Sequence, residues 1–427
     1  MRVDHIEVIN LRFTYPPGAQ FAYAGGIATG RLSTLVRVHD NRGRIGIGSA
    51  YTHPELARVV IQGQLEPWLL GRTINDVTIQ WDEMMRLVRW YGRSGAAVSA
   101  LGAIDTALWD LAAQEARQPL WRFLGGTEQS VAAYASGLLW HDQLTLLQQE
   151  ASAHLDSGFT QVKMRLGRCR DYDLAAFLAV NEAMGGPGKI MVDGSLRYSD
   201  SDAQYLADFL AEHGAVWFEE PFAPDAIDSY RRLREVASVP IAAGENETAP
   251  RGFEDLIRGR LVDIVQPDVS RAGGVTAVLR IAKAAKAAGI AVATHSWSDA
   301  VGLIANAHVV AAVPNAMTVE VDRTGNGLID ELTQEPLRLV NGRLVLSEQP
   351  GLGIELREGA LEKYRLPRGD APPAGNYSDM TFGPGVDGQL PRYRATMAED
   401  PAVGPTVARQ DGVHASRRKH FGKEPTV

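Results

Sequence analysis

Three acidic residues stand at one constant spacing in the middle of the chain. Asp193, Glu219 and Glu245 are each separated from the next by 26 residues, and each lies in or directly after a short apolar run. Carboxylates held face to face repel one another and raise one another's pKa unless a cation lies between them. Hard oxygen ligands that leave room for water and substrate suit Mg²⁺. The spacing therefore predicts a magnesium site, whereas helix capping or surface salt bridging would explain any one of these acids alone.

A histidine and two cations complete the set of candidate catalytic residues. Asp268 precedes His295 by 27 residues, nearly the same interval. A carboxylate beside an imidazole fixes its tautomer and raises its basicity, which is the arrangement of a general base. Lys163 and Arg165 are two positions apart in an apolar run and therefore share one face of a strand. Lys163 is suited to binding a substrate carboxylate and Arg165 to clamping an anion, although both could also form a buried ion-pair network with the acids.

These intervals match a repeated strand–helix unit that would position the side chains. Eight short apolar runs, each followed by an amphipathic stretch, occupy residues 131–140, 161–166, 190–193, 216–220, 241–245, 264–268, 291–295 and 317–322. Near-continuous apolar strands alternating with helices are typical of parallel β-structure covered on both faces. The pattern predicts an α/β fold, a modified (β/α)₈ TIM-type barrel whose polar strand ends converge on the C-terminal mouth. A doubly wound open sheet is the competing fold, and its usual G-x-G-x-x-G turn is not found in the sequence.

The periodicity along the chain predicts four segments. They are an α+β capping domain at 1–128, the barrel at 129–330, a C-terminal return to the cap at 331–366, and an extended or disordered tail at 367–427. The tail is rich in Gly and Pro and has no apolar periodicity. An arm that wraps a neighbouring subunit is the alternative interpretation of this tail.

Composition and charge narrow the class of protein. Of 427 residues, 45% are hydrophobic and 22% are charged, which is typical of a globular chain with material for a core. The net charge of −8 argues against a nucleic-acid partner or a basic membrane-binding surface. A single cysteine, Cys169, excludes an intrachain disulfide. No uninterrupted apolar run approaches the ~18 residues of a membrane span, and the first ten residues lack the apolar core of a signal peptide, so we expect a cytoplasmic protein.

In these residues the sequence resembles the enolase superfamily and, within it, the mandelate racemase subgroup. The likeness covers about residues 1–366, and its motifs are Lys163-x-Arg165, Asp193, Glu219-Glu220-Pro221, Gly244-Glu245-Asn246, Asp268, His295 and the helical segment 103–111. A Lys or His base with Mg²⁺ stabilising an enediolate is the known pattern of that superfamily.

The resemblance also implies a role for each residue. Asp193, Glu219 and Glu245 would ligate Mg²⁺. Lys163 would neutralise the substrate carboxylate, and Glu320 would hydrogen-bond that carboxylate from the side away from the metal. His295, paired with Asp268, would act as acid and base.

One departure from the subgroup bears on the reaction. Its racemases carry a second lysine where Arg165 stands, and arginine is a poor base. We therefore expect a one-base reaction, in which His295 removes the α-proton of a hydroxy acid and the enediolate expels the β-hydroxyl. The product would be a 2-keto-3-deoxy acid, and the protein an Mg²⁺-dependent sugar-acid dehydratase, a carbon–oxygen lyase.

Other functions are compatible with the same residues. A racemase, an epimerase or a cycloisomerase would use the same metal and the same enediolate. An unrelated metal-dependent barrel, such as an aldolase or a hydrolase, and a non-catalytic sugar-acid binding barrel are less favoured, because the pairing of His295 with Asp268 argues for catalysis.

Further candidate contacts to a small-molecule sugar acid lie beside these motifs and in the cap. The turn-rich stretch 16–26 is expected to be a long surface loop, and long loops in compact domains are often lids. Loop 16–30 and the segment 51–53 would set the length of the substrate. The candidate substrate-binding residues are Lys163, Arg165, Asn246, Ser296, Trp297, Tyr23 and His53. Since barrels of this kind commonly assemble, we also expect a homo-oligomer.

Overall fold

A closed parallel barrel and an antiparallel cap sheet with its own helices make up the structure. It is a computed structural model that describes residues 1–23, 26–367, 370, 380–382 and 393–396. The cap meets the barrel at its C-terminal mouth, where the Phe21 ring lies 6.1 Å from that of Trp297. The predicted α/β barrel with an N-terminal cap is confirmed.

The cap sheet is arranged around one long central strand. Its first four strands are β1 (Val3–Thr14), β2 (Phe21–Tyr23), β3 (Gly26–Asp40) and β4 (Ile45–Ala50). β3 pairs antiparallel with each of the other three. Ile6 lies opposite Val38 in the register of β1 and β3, and both are buried. The alternating apolar positions therefore supply the face that packs on the cap helices.

The cap helices follow β4. They are α1 (Pro54–Val60), a π-helical turn (Ile61–Leu65), α2 (Glu66–Leu69), α3 (Val77–Val88), α4 (Ala96–Glu115) and α5 (Leu120–Phe123). α4 packs directly on β4 because Gly46 and Gly48 have no side chain there. A Cβ atom on Gly48 would lie 2.0 Å from the Ala103 carbonyl oxygen.

Within the described residues, α4 is the one helix long and apolar enough to cross a membrane, by length and composition alone. Most of it, 83% of the most apolar window, is buried inside the protein. The core helix of a globular protein passes the same test, and α4 packs between the cap sheet and barrel helices. Asp105 and Asp110 interrupt its apolar run, which is why the sequence pattern did not indicate a span.

The barrel strands appear where the eight apolar runs predict them. They are β5 (Ser130–Ser136), β6 (Val162–Arg165), β7 (Ile190–Asp193), β8 (Trp217–Glu219), β9 (Ile241–Ala243), β10 (Ile264–Val265), β11 (Ala291–Thr294) and β12 (Ala316–Asp322). Neighbours in the chain are parallel neighbours in the sheet, and β12 pairs with β5 to close it. The closure rules out the competing open sheet.

Helices cover the outside of the barrel between successive strands. They are α6 (Leu144–Asp156), α7 (Arg170–Ala183), α8 (Asp200–Glu212), α9 (Ile227–Val236), α10 (Ala249–Gly252), α11 (Glu254–Arg258), α12 (Val269–Ala272), α13 (Gly274–Ala288) and α14 (Ala300–Ala312). Each connection returns the chain to the same end of the sheet, so all eight strands deliver their last residues to one mouth.

The segment predicted to return to the cap packs partly on the barrel and partly on the cap. After α15 (Gly327–Asp330), the hairpin β13 (Arg338–Val340) and β14 (Arg343–Val345) pairs antiparallel with β5 of the barrel. α16 (Glu358–Tyr364) packs on β1 of the cap. The boundaries proposed from the sequence stay predictions.

Most of the predicted tail lies outside the described residues, apart from two short pieces. β15 (Met380–Phe382) pairs antiparallel with β3, and residues 393–396 contact the start of α7. Both pieces pack on the folded body, which the lack of periodicity in the sequence did not indicate.

The stretch 16–26 differs from the expected surface loop. Phe21–Tyr23 forms β2, and only 4% of Phe21 and 2% of Tyr23 is exposed. Turn residues dominate the sequence there, but the two aromatic side chains pack against Trp297 of the barrel, which local patterning does not encode. Residues 24 and 25 lie outside the described residues.

Candidate active site

The C-terminal ends of three neighbouring strands bring the predicted residues together. β6 ends in Arg165, β7 in Asp193 and β8 in Glu219. Strand register places Arg165 beside Asp193, and Asp193 beside Glu219. All three side chains are buried. The spacing of Asp193 and Glu219 thus becomes lateral contact at one level of the barrel, whereas Glu219 lies beside Ala242 and Glu245 follows the end of β9.

Asp193, Glu219 and Glu245 form a group of carboxylates that we call the acid triad. One oxygen of each lies within 4.8 Å of the others. The Ser195 backbone N–H donates to Asp193 Oδ1 at 2.7 Å, and Trp217 Nε1 donates to Glu219 Oε2 at 2.9 Å. Glu245 Oε2 is buried and has no hydrogen-bond partner among the described residues. Asp193 Oδ2 likewise has no hydrogen-bond partner among these residues, although it forms an ion pair with Arg165. This oxygen donor set fits a hard divalent cation such as Mg²⁺.

Two buried cations face the acid triad. Lys163 Nζ lies 2.6 Å from Glu219 Oε1 and 2.9 Å from Glu320 Oε1, and Arg165 forms an ion pair with Asp193. The acid triad and Glu320 together contribute four carboxylates, and Lys163 and Arg165 contribute two positive charges. Two uncompensated negative charges are costly in a site removed from water, and a divalent cation would balance them.

Lys163 and Glu320 hold each other in their charged forms. Burial opposes charge on Lys163, but the carboxylates of Glu219 and Glu320 outweigh it and hold the lysine pKa well above its usual value. Burial likewise opposes charge on Glu320, yet Lys163 and His295 hold its pKa at about 2. The predicted hydrogen bond from Glu320 to a substrate carboxylate requires the protonated acid, so it stays a prediction.

His295 and Asp268 form the expected pair at the ends of β11 and β10. His295 Nδ1 lies 2.8 Å from Asp268 Oδ2. The other oxygen, Oδ1, accepts hydrogen bonds from the Ser270 N–H at 2.8 Å and from Asn306 Nδ2 at 3.0 Å. With Nδ1–H held by this anchored carboxylate, Nε2 is the free nitrogen, and it lies 3.5 Å from Glu245 Oε2. The imidazole therefore presents its basic nitrogen to the acid triad.

The electrostatics of the mouth favour a proton on His295. Burial alone would lower the pKa of the imidazole. The carboxylates of Glu245 and Glu320, with the hydrogen bond to Asp268, raise it to about 9. A cation on the acid triad would oppose this effect, because it would neutralise Glu245.

An aromatic wall lies over Arg165. Its guanidinium carbon is 4.1 Å from the ring centre of Trp297 and 5.7 Å from that of Tyr23. Its Nε and one terminal nitrogen are buried without a hydrogen-bond partner among the described residues. Ion pairing and stacking fix the guanidinium, and its open donors can bind an anionic or hydroxyl group of a ligand.

For the remaining predicted substrate contacts, the positions of the side chains give weaker support. Asn246 donates to Glu220 Oε2 at 2.6 Å and accepts from Arg271 at 3.0 Å, so both ends of its amide are engaged. Ser296 reaches the site through its N–H, which donates to Glu320 at 3.1 Å. His53 precedes α1 on the cap. Substrate binding by these three residues stays a prediction.

Tyr51 is a contact of the site that the sequence did not single out. Its ring stacks on the His295 imidazole at 5.7 Å with an interplanar angle of 21°, and the Arg271 guanidinium lies 5.3 Å from the same ring. Tyr51 follows the last residue of β4, so its segment was a candidate for substrate length only. The contact arises from docking of the cap on the barrel.

Comparison with known proteins shows the family. Residues 21–125 match the family model of the mandelate racemase/muconate lactonizing enzyme N-terminal domain, and residues 146–360 match that of the enolase C-terminal domain-like family. An arabinonate dehydratase from Saccharolobus solfataricus is 32% identical over 78% of this chain and 90% of its own length.

Two further relatives carry names of different reactions. A D-galactarolactone cycloisomerase from Agrobacterium fabrum is 31% identical over 79% of this chain and 92% of its own length. The crystal structure of a racemase from Streptomyces coelicolor with bound magnesium superposes with a TM-score of 0.79 at 27% identity, and the match covers 86% of this chain and 100% of that one.

The matches to the two domain models extend over the same cap and barrel that bring the acid triad and the His295–Asp268 pair together. The chain is therefore a member of the mandelate racemase/muconate lactonizing enzyme family of the enolase superfamily, whose relatives here include acid-sugar dehydratases and cycloisomerases.

Proposed function

We propose that this protein is an Mg²⁺-dependent dehydratase of a sugar acid. The observation that carries the proposal is the presence of one base at the mouth. His295 is anchored by Asp268, whereas Arg165, on a strand separated from β11 by β5 and β12, is locked to Asp193. Several relatives are named dehydratases of acid sugars, which supports the same class of reaction.

Arg165 is unsuited to the role of a second base. Burial would lower its pKa, but the carboxylates of Asp193 and Glu245 outweigh burial and raise it above its already high value. A guanidinium that keeps its proton can bind an oxygen but cannot accept a proton from carbon. Reactions that need proton transfer on both faces of the substrate are thereby disfavoured.

The acid triad would hold Mg²⁺, which when bound supplies Lewis-acid stabilisation of negative charge on the substrate carboxylate. Lys163 places a second positive charge beside the triad, 2.6 Å from Glu219. Removal of a proton α to a carboxylate produces a dianion, so charges already fixed in place lower the barrier without reorganisation.

His295 would carry out both proton transfers of the elimination. Its Nε2 accepts the α-proton, and the electrons of the C–H bond form the enediolate. When the C–O bond to the β-carbon breaks, the same nitrogen returns the proton to the departing hydroxyl, which leaves as water. The resulting enol tautomerises to a 2-keto-3-deoxy acid.

A cycloisomerase is the second candidate. Such an enzyme needs the same enolisation and also works with one base, and the Agrobacterium fabrum relative carries this name. The two reactions differ in whether the molecule loses water, so the product mass separates them.

The test is a screen of mono- and diacid sugars with Mg²⁺, in H₂O and in D₂O. We expect one substrate to lose the mass of one water and to give a keto acid that reacts with semicarbazide. His295→Asn is the control and should form this product at least about 100-fold more slowly. Deuterium uptake at the α-carbon without loss of water would contradict dehydration and favour isomerisation. Assembly as a homo-oligomer and a cytoplasmic location are additional proposals, tested by light scattering and by cell fractionation.

A further inference from the structure

Two short pieces of the C-terminal segment lie on the two walls of the site. The first is β15, which pairs with β3 at Ala28, Gly30 and Arg31. Thr29 Oγ1 donates to the backbone oxygen of Thr381 at 2.9 Å, and the two hydroxyls are 3.0 Å apart. Only 1% of Thr381 is exposed. β15 thus adds an edge strand to the first part of β3, directly after the residues that pair with β2, and the two strands meet β3 together at Ala28.

The second piece fastens the start of α7. The backbone N–H groups of Arg170 and Asp171 donate to the carbonyls of Arg394 and Ala395 at 3.0 and 3.1 Å. These N–H groups belong to the first helical turn, which has no partner within its own helix. Cys169, the residue before α7, supplies no side-chain cap. The C-terminal segment therefore caps this helix with its own backbone.

A buried carboxylate joins this second piece to two mouth loops. Asp173 Oδ2 accepts hydrogen bonds from Tyr393 at 2.9 Å, from Tyr198 at 2.8 Å and from the Gly167 N–H at 3.0 Å. Gly167 follows β6, which carries Arg165, and Tyr198 lies in the loop after β7. The Tyr198 and Tyr393 rings are 4.6 Å apart.

Both contact points therefore adjoin the walls around Arg165. The β2–β3 hairpin holds Tyr23 against Trp297 and over Arg165, and β15 braces that hairpin. Residues 393–395 brace the loop that follows Arg165. The matched C-terminal family domain ends at residue 360, so both pieces lie beyond it.

We propose that residues 380–382 and 393–396 form a strap that holds the β2–β3 hairpin and the β6–α7 loop in place around the substrate. The strap is a specificity-determining element, because it fixes the aromatic wall without contacting the reacting atoms. The effect of the strap on substrate binding rests on the proposed function, whereas its effect on the position of the hairpin does not.

The first test measures amide hydrogen exchange without substrate. A chain that ends at residue 370 is compared with the full chain and with a matched control that ends at 396 and keeps both pieces. We expect exchange at Arg170 and Asp171 to rise about tenfold in the shorter chain, the equivalent of one lost hydrogen bond, with faster exchange across 21–31. The control should match the full chain.

If the shorter chain fails to fold, point variants of the full chain test the same proposal. Tyr393→Ala should reproduce the faster exchange at the start of α7, and Tyr393→Phe, which loses only the hydroxyl, should do so more weakly. Equal exchange at Arg170, Asp171 and the hairpin in the full chain and in Tyr393→Ala or the shorter chain would overturn the strap.

The second test measures kinetics on the substrate found in the screen. The shorter chain should show KM raised about three- to tenfold with kcat changed less, since the groups that move protons stay in place. An unchanged KM with altered exchange would overturn the specificity role alone. If no substrate is found, the exchange result still decides whether the strap exists.

Discussion

Two groups of ionisable side chains, one at the barrel mouth and one between cap and barrel, differ in how fully their buried polar atoms are hydrogen-bonded. At the mouth, Glu245, His295 and Arg165 each have a buried polar atom without a hydrogen-bond partner in the described part of the chain. Each of these atoms is buried, and a buried polar atom without a partner costs free energy.

Between cap and barrel the acids have partners on both oxygens. Asp110 on α4 accepts the N–H groups of Ile47 at 2.9 Å and of Leu352 at 2.8 Å. Asp299, before α14, accepts hydrogen bonds from the hydroxyls of Ser33 and Ser49 on cap strands, each at 2.5 Å. These carboxylates join elements that are distant in sequence.

This difference in hydrogen bonding distinguishes side chains that contribute to stability from side chains that would serve the proposed function. Where every donor and acceptor is matched, a buried charge fixes how two units dock. Where several polar atoms converge without hydrogen-bond partners, the proposed cation and substrate would offset the free energy that these atoms cost. Substitutions in the two groups should therefore affect different measurements.

The largest expected effect is on catalysis at the mouth. His295→Asn removes the base and should lower kcat by about 10²–10⁴-fold, because general acid–base catalysis contributes about that much. The thermal midpoint and the gain in stability on adding Mg²⁺ should stay close to those of the unchanged protein. Steady-state kinetics and thermal melts check both statements, and full turnover by this variant would refute the mechanism.

Removal of a metal ligand should come next. Glu219→Gln should lower activity at least about 100-fold, since even groups behind the ligands affect metal sites by about 10–100-fold. Chelation should abolish activity and Mg²⁺ restore it. Mg²⁺ should also raise the thermal midpoint of the unchanged protein but not that of Glu219→Gln. The same Mg²⁺-dependent rise in the variant would show that the acid triad is not the metal site.

The opposite pattern is expected at the interface. Asp110→Ala leaves two buried N–H groups without acceptors and should cost about 3 kcal/mol of unfolding free energy, seen as a lower thermal midpoint. The kcat of the folded variant should change little. Asp110→Asn, which keeps one acceptor oxygen, should cost less. A loss of kcat without a loss of stability would break the distinction between the two groups.

The smallest effect concerns pH. His308 on α14 is fully buried and accepts the Trp121 N–H at Nδ1, at 2.9 Å, so Nε2–H donates to the Leu352 carbonyl at 3.1 Å. Burial lowers its pKa from the usual 6.5 to about 4. Between these values the unfolded chain binds a proton that the folded protein does not, so stability falls as pH falls.

This contribution should reach about 2 kcal/mol between pH 7 and pH 5. His308→Gln cannot titrate and is the control. Thermal or urea unfolding across this range should show a shallower pH dependence in the variant. Identical pH dependence in the two proteins would show that His308 is not held neutral.

The sequence predicted the features whose signal lies in neighbouring residues, and it missed the features that depend on residues far apart in the chain. The eight barrel strands coincide with their apolar runs to within one residue at their starts, because burial on both faces requires continuous apolar residues. The hairpin at Phe21 and Tyr23 was expected to be a loop, because turn residues dominate its sequence and its aromatic side chains pack against Trp297, a barrel residue far along the chain. His308 is likewise buried by segments far along the chain, at Trp121 and Leu352, which its own sequence neighbourhood does not indicate.

The sequence by itself determined the members of the acid triad and the His295–Asp268 pair. A strand–helix unit of nearly constant length repeats around a barrel, so residues one unit apart must meet at its mouth. Only the tertiary structure decided which polar atoms at the mouth have no hydrogen-bond partner among the described residues. Arg165 is fixed by Asp193 and Trp297 because the closed barrel brings these strand ends to one mouth. Tyr51 reaches His295 because the cap docks on the barrel through contacts between residues far apart in the chain.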